Sequence, residues 1–253
     1  MILGAQLYTV RDKAKTPGEI RSTFEKLAAI GYEAVQISGI GPIEAKELAK
    51  ISKDTNLPIT STHVPFDRIV NDTEALIEEH KTYGAGVIGL GYLPNEFHGS
   101  AANLEKFFAL MEKPFEKIKA AGLDFSYHNH AFEFDALPDS DMNVLDIMLE
   151  RKPEWQFILD TYWIEYAGKS AIDYIKKAGG KRLKNIHYKD MANDEKHSIC
   201  ACGDGVLDFG KITDVCRAEG VINVLVEQDN AADFGDSFEQ AKRSFDYLRP
   251  IVF

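Results

Sequence analysis

Phe125-Ser126-Tyr127-His128-Asn129-His130-Ala131-Phe132-Glu133-Phe134 begins as an alternating strand and ends in two imidazoles and a carboxylate. Strand side chains alternate between faces, so Phe125 and Tyr127 share one side while Ser126, His128 and His130 share the other. One face packs, and the other delivers polar groups to a single place. A metal ion or a sugar is the usual reason for such a delivery.

Working outward, β-rich runs recur along the whole chain, separated by longer helical patterns and by no Pro/Ser/Gly-rich linker. Strands are expected at 2–8, 34–38, 59–64, 87–92, 124–130, 156–163, 184–190 and 224–229. Helices are expected near 17–30, 43–55, 71–83, 101–121, 142–151, 170–179, 209–219 and 236–248. Thr16-Pro17 reads as an N-cap followed by proline at the first helical position, and Gly31 as that helix's stop. The third helix is expected to start at Asn71 or Asp72 and stop at Gly84, while Gly122, Gly179 and Gly220 each precede a strand. Eight linker-free strand-helix units fit a closed parallel barrel better than an open doubly wound sheet, and about 250 residues is the usual size of one (β/α)8 barrel. The fold class is therefore α/β, a single TIM barrel spanning residues 1–253.

Composition narrows the function classes. With 45% hydrophobic and 27% charged residues the chain is ordinary for a globular protein, and no apolar run approaches a membrane span. The N-terminus enters a strand pattern directly, without a basic and then apolar leader, so a cytoplasmic location is expected. A net charge of −11 repels nucleic-acid phosphates and anionic membranes, so neither is an expected partner. Three cysteines without a leader argue for reduced thiols; Cys200-Ala201-Cys202 lacks the usual zinc spacing and a second pair.

In such a barrel the chemistry sits at the C-terminal strand ends. Those ends carry Gln6 and Tyr8, His63, His128 and His130 with Glu133 just beyond, Asp160 and Trp163, His187 and Lys189, and Glu227 and Asp229. Asn185, His187 and Lys189 share one face of their strand, as do Leu225, Glu227 and Asp229. Glu133, Asp160, His187 and Glu227 form a carboxylate-plus-imidazole set for one divalent ion, Mn, Mg, Co or Zn. His128 or His130 could replace or supplement Glu133, and otherwise they contact substrate. Each of these residues taken singly is as readily a helix cap, an ion-pair partner or a core histidine; their coincidence at strand ends favours the site. Gln6, His63, Trp163 and Lys189 are candidate substrate contacts, with a structural histidine and a salt bridge from Lys189 to Asp190 or Glu227 as the plainer alternatives. The loop Cys202-Gly203-Asp204-Gly205-Val206-Leu207-Asp208 carries acid where a phosphate would need a base, so an unphosphorylated substrate is expected.

The ordered set Gln6-Leu7-Tyr8-Thr9-Val10-Arg11-Asp12, Tyr127-His128-Asn129-His130 with Phe132-Glu133-Phe134, Leu159-Asp160-Thr161-Tyr162-Trp163, His187-Tyr188-Lys189-Asp190, Gly203-Asp204-Gly205 and Val226-Glu227-Gln228-Asp229 resembles the sugar phosphate isomerase/epimerase family with its xylose isomerase-like TIM barrel. The resemblance implies one divalent ion held by Glu, Asp, His and Glu, with two Glu as acid and base across a sugar carbon. Asp160, His187 and Glu227 fall on the matching motifs. Many relatives carry Glu-Asn-His where this chain has His128-Asn129-His130, which leaves His128 or Glu133 as the first ligand. The implied activity is isomerisation or epimerisation of a neutral sugar or keto-sugar through a metal-stabilised enediolate, with Glu133 and Glu227 catalytic. A dehydratase or lyase on a keto-inositol or 3-keto-glycoside is the nearest rival, and a non-catalytic sugar-binding protein a further one. A phosphodiester-cleaving repair enzyme would need more metal ligands and a basic groove.

Overall fold

In a computed structural model describing residues 1–253, eight parallel strands close into a barrel. They are β1 (Ile2–Gln6), β2 (Ala34–Ile37), β3 (Ile59–Val64), β4 (Val87–Leu90), β5 (Asp124–His128), β6 (Gln156–Asp160), β7 (Asn185–Tyr188) and β10 (Asn223–Val226), with β10 pairing β1 to complete the ring. The short strands β8 (Asp190–Met191) and β9 (Ile199–Cys200) form an antiparallel hairpin at the barrel mouth. Helices α1 (Pro17–Ile30), α2 (Ala45–Thr55), α3 (Phe66–Asn71), α4 (Thr73–Tyr83) and α5 (Ala101–Ala120) follow the first four strands. Then come α6 (Val144–Arg151), α7 (Thr161–Tyr166), α8 (Ala171–Ala178), α9 (Phe209–Glu219) and α10 (Ser237–Val252).

Local sequence explains the boundaries. Thr16 and Glu19 make a reciprocal capping box with Pro17 at the first helical position, and Gly31 closes α1 at φ +116°. Gln6 ends β1 early because its side chain accepts the Tyr8 N–H, starting a 3-10 helix over Leu7–Lys13 where a longer strand was expected. Asp160 does the same to β6: its Oδ1 accepts the Trp163 N–H, so Trp163 lies on α7 and not on the strand. The helix expected at 71–83 is α4, preceded by an unexpected short helix α3 that ends at Asn71; Asp72 between them makes no side-chain cap and instead approaches Arg68.

The parity read from the opening stretch holds. Phe125 and Tyr127 point outward against Trp155 and Phe107 of the surrounding layer, inside a core cluster of 60 buried residues. Tyr188 likewise bonds Thr213 of α9 from the outer face of β7. Inside the barrel Leu225 packs over Gly4, and Asn223 donates to Asn185, sealing the floor beneath the mouth. The three cysteines are free and buried, and Cys202 Sγ donates to the Tyr188 carbonyl rather than approaching a metal cluster. No helix is long and apolar enough to cross a membrane.

Candidate metal centre at the barrel mouth

Four consecutive strand ends bring His128, Asp160, His187 and Glu227 together, with one ligand atom from each lying within 4.8 Å of the others, all four buried. Register does this: Asp160 stands beside His187 across β6 and β7, and Glu227 follows Val226, the partner of Tyr188. Three of the four expected ligands are thus in one place, and the fourth position belongs to His128. Glu133 stands apart from them. Its carboxylate is turned back into the protein, accepting the Tyr127 hydroxyl at 2.5 Å and the His130 N–H at 2.8 Å. It sits on a short 3-10 turn after β5, which carries it behind the strand end instead of into the mouth.

The hydrogen bonds around the two imidazoles leave a lone pair on each inward nitrogen. His187 Nε2 lies 2.6 Å from Gln36 Oε1, which fixes the proton there and frees Nδ1. Nδ1 stands 3.0 Å from Glu227 Oε2 yet makes no hydrogen bond, because the two atoms are out of line. His128 Nδ1 donates to the Gly91 carbonyl at 3.2 Å, so its Nε2 faces Asp160 Oδ2, acceptor to acceptor, at 3.4 Å. Neutral imidazoles turned this way present two nitrogen acceptors beside the Asp160 and Glu227 carboxylates, a donor set that suits a cation.

Charge counting agrees. Lys189 Nζ lies 2.8 Å from Asp229, 3.4 Å from Glu227 and 3.6 Å from Asp160, so three carboxylates surround one buried ammonium and leave two negative charges when the imidazoles are neutral. Buried charge needs compensation, and a divalent ion supplies it. Burial opposes ionisation of Asp160 and Glu227, but Lys189 and the imidazoles outweigh it and hold both carboxyls below their usual range. Burial also opposes the charged forms of Lys189 and His187, yet the same carboxylates raise the ammonium and bring His187 to about 9.

The expected contact residues divide. His63 lines the mouth with its ring 5.0 Å from His128 and 5.4 Å from His187, and its Nε2 is buried without a partner. Trp163 Nε1 and His130 Nδ1 are also buried and unpartnered, with Trp163 packed 5.3 Å from His130 and beneath the Lys189 ammonium. Burial and the neighbouring His128 bring His130 down to about 3, keeping it neutral. Gln6 is fully buried and works from behind, its amide against His63 Nδ1 at 3.4 Å. Lys189 pairs with Glu227 and Asp229, whereas Asp190 accepts four backbone N–H groups from Met191, Gly203, Gly205 and Leu207.

Residues that the sequence reading passed over also shape the site. Asn129 Oδ1 accepts the Asp160 N–H, tying β5 to β6 at the ligand level. Gln36 was legible as a lone polar residue in Ala34-Val35-Gln36-Ile37, at a lumen position by parity. Gly89 and Gly91 make room for His63: a Cβ on Gly91 would stand 2.7 Å from its Nδ1, and one on Gly89 only 2.2 Å from the Thr62 carbonyl.

The sequence profile of the xylose isomerase-like TIM barrel matches residues 24–251. The chain belongs to that family. Among solved structures, a sugar phosphate isomerase/epimerase from Parabacteroides distasonis ATCC 8503 superposes with a TM-score of 0.82 at 21% identity, covering 99% of this chain and 95% of that one. An L-ribulose 3-epimerase superposes at 0.76 and 17% identity, covering 99% and 94%. A D-psicose 3-epimerase from Clostridium cellulolyticum H10, solved with D-tagatose, does so at 0.76 and 15%, covering 100% and 99%. A search of curated proteins found no match. At these identities the structural likeness speaks to the barrel, and the residues at the mouth must speak for the chemistry.

Proposed function

We propose that this xylose isomerase-like barrel is a divalent-metal-dependent isomerase or epimerase of a neutral sugar or keto-sugar, acting by proton abstraction next to a carbonyl. The observation that carries this is the buried His128, Asp160, His187 and Glu227 group, which borders a cleft of about 900 Å³ lined also by His63, His130, Lys189 and Asp229. Two imidazoles and two carboxylates suit Mn, Co or Zn better than Mg, which prefers oxygen alone. When bound there, the ion polarises a carbonyl and its neighbouring hydroxyl. Glu227 is the base: it borders the cleft, and its carboxylate stays ionised beside Lys189 and His187. Lys189, held between Glu227 and Asp229, is the donor to a developing oxyanion. His63 and His130 present nitrogens to sugar hydroxyls, and Trp163 backs His130 and Lys189 from outside the cleft lining. The cleft lining contains no arginine and only one lysine, already engaged by carboxylates, which supports an unphosphorylated substrate.

The seclusion of Glu133 favours a second reading. Epimerisation by two carboxylates needs one on each face of the reacting carbon, and here the second is bonded to Tyr127 and the His130 backbone. Elimination needs one base and a departing group, so a dehydratase or lyase fits a site with Glu227 alone. One experiment addresses both: metal-loaded enzyme in D2O with a panel of neutral sugars and keto-sugars, followed by NMR and mass spectrometry. Deuterium at the reacting carbon with the sugar skeleton otherwise intact supports the epimerase, and loss of water or aglycone supports the lyase. Glu227→Gln is expected to lose about 10²-fold or more in rate. Full turnover in that variant removes Glu227 as the base.

A further inference from the structure

The cleft at the mouth is longer than its chemistry. His63, His128, His130, Lys189, Glu227 and Asp229 occupy one end. The rest extends sideways over the ends of β1 to β4, through Tyr8, the Ile37–Ile40 loop, Val64–Asp67 and the segment from Tyr92 to Glu96. At about 900 Å³ the whole lies near the top of the range of roughly 300–1,000 Å³ for small-molecule pockets, and one pyranose at the metal end would fill a minor part of it.

We infer that this lateral lobe is a binding subsite for a second ring, so that the substrate is a keto-sugar joined through a glycosidic bond to a second sugar or aryl ring, and not a free monosaccharide. The inference rests on the metal end being where the chemistry occurs. Three observations carry it. The lobe's surfaces are apolar or aromatic, from Tyr8, Ile40, Phe66, Tyr92 and Pro94, which match the C–H face of a sugar or an aryl group. Its polar groups, Ser38, Asp67 and Glu96, accept hydrogen bonds from hydroxyls, and with no Lys or Arg in the lobe there is no counterpart for phosphate or carboxylate on the second ring.

The lobe is also built, not merely left open. Gly39 sits at φ +67° with the Tyr8 ring where its Cβ would point, 2.7 Å away, so only glycine lets the β2 loop close on that ring. Tyr8 is clamped in turn by Arg11, whose guanidinium stacks 3.9 Å from the ring centre and donates to the Tyr8 and Asp229 carbonyls. That arrangement uses up the nearest arginine and links the floor of the lobe to the strand end that carries the base. Phe66 is held from behind by Phe97 and Phe107. A rigid wall of this kind binds a ring without an ordering cost.

The test is calorimetry on the zinc-loaded protein, in which glucose, galactose, mannose and xylose are each compared with their α- and β-phenyl glycosides and with a disaccharide carrying the same ring. At least one extended ligand is expected to bind tenfold or more tightly than its parent sugar. Ile40→Trp, which fills the lobe, and Asp67→Ala, which removes a hydroxyl acceptor, should each bring that ratio down toward one. Parent sugars binding as well as every extended ligand overturn the inference, as does a ratio that survives Ile40→Trp. Carbon-bound hydrogen exchange in D2O separates the two readings. Exchange of free sugars with no gain from a second ring sinks the subsite and leaves the proposed chemistry, whereas a gain in binding with no exchange on any ligand that can open to a carbonyl, the free sugars and the reducing disaccharides, does the reverse.

Discussion

Glu133 and His128 exchange the roles that their residue types suggest. A carboxylate is the commoner ligand for a hard divalent ion, yet Glu133 lies buried behind the strand and it is His128 that stands with Asp160, His187 and Glu227. His128→Ala is therefore expected to abolish stoichiometric metal binding in plasma emission analysis, while Glu133→Ala retains it. The opposite pattern makes Glu133 the ligand. Burial raises the Glu133 carboxyl to about 7, and the Tyr127 hydroxyl and His130 N–H only partly offset this. A carboxyl raised above its unfolded value of 4.5 contributes stability that is complete below that value and is lost as pH rises through about 7. The loss amounts to roughly 3 kcal/mol at most. Glu133→Gln, with nothing to ionise, is expected to be the less stable protein at pH 5 and to close the gap by pH 8 in urea melts. Parallel curves for the two proteins would show that Glu133 does not titrate there.

At the scale of elements, the loop from β8 to α9 is organised by one side chain. Asp190 accepts N–H groups from Met191 and Leu207 on one oxygen and from Gly203 and Gly205 on the other. A carboxylate satisfies all four donors, and an amide must turn its own donor toward two of them. Asp190→Asn should cost about 2–3 kcal/mol, with proteolytic cleavage appearing first between residues 191 and 207. Unchanged melting and unchanged proteolysis would show the loop to be held by other contacts. On the opposite side of the mouth, Gly89 permits β3 and β4 to approach, since a Cβ there would collide with the Thr62 backbone. Gly89→Ala is expected to destabilise by about 1–3 kcal/mol without touching a ligand, so any loss of metal should follow unfolding.

For the whole molecule, the candidate metal centre draws its donors from β5, β6, β7 and β10, so a bound ion would cross-link half of the barrel's strand ends. Removing the ion should leave the Asp160, Glu227 and Asp229 carboxylates with only a protonated His187 and Lys189 to compensate them. Ligation of the folded state alone by metal at a hundred times its dissociation constant stabilises by about 2.7 kcal/mol. For a barrel of this size that is roughly 5–10 °C of melting temperature. Chelation is expected to lower Tm by that much and zinc or manganese to restore it, with magnesium the least effective. A Tm indifferent to chelator and metal argues against the site.

The alternation in Phe125 to His130, the recurring strand-helix spacing and the capping signals at Thr16 and Gly31 determined the barrel, because each depends on neighbours a few residues apart. Parity also determined that His187, Lys189 and Glu227 face the mouth. What the tertiary structure decided is which groups share a centre. Glu133 is five residues from His128, and local sequence does not say that a 3-10 turn swings it behind the strand toward Tyr127. Gln36 reaches His187 across 151 residues, and Gly91 gives its carbonyl to His128 across 37. Those contacts orient the imidazoles toward the candidate centre, and they exist only once strands distant in sequence have closed into a ring.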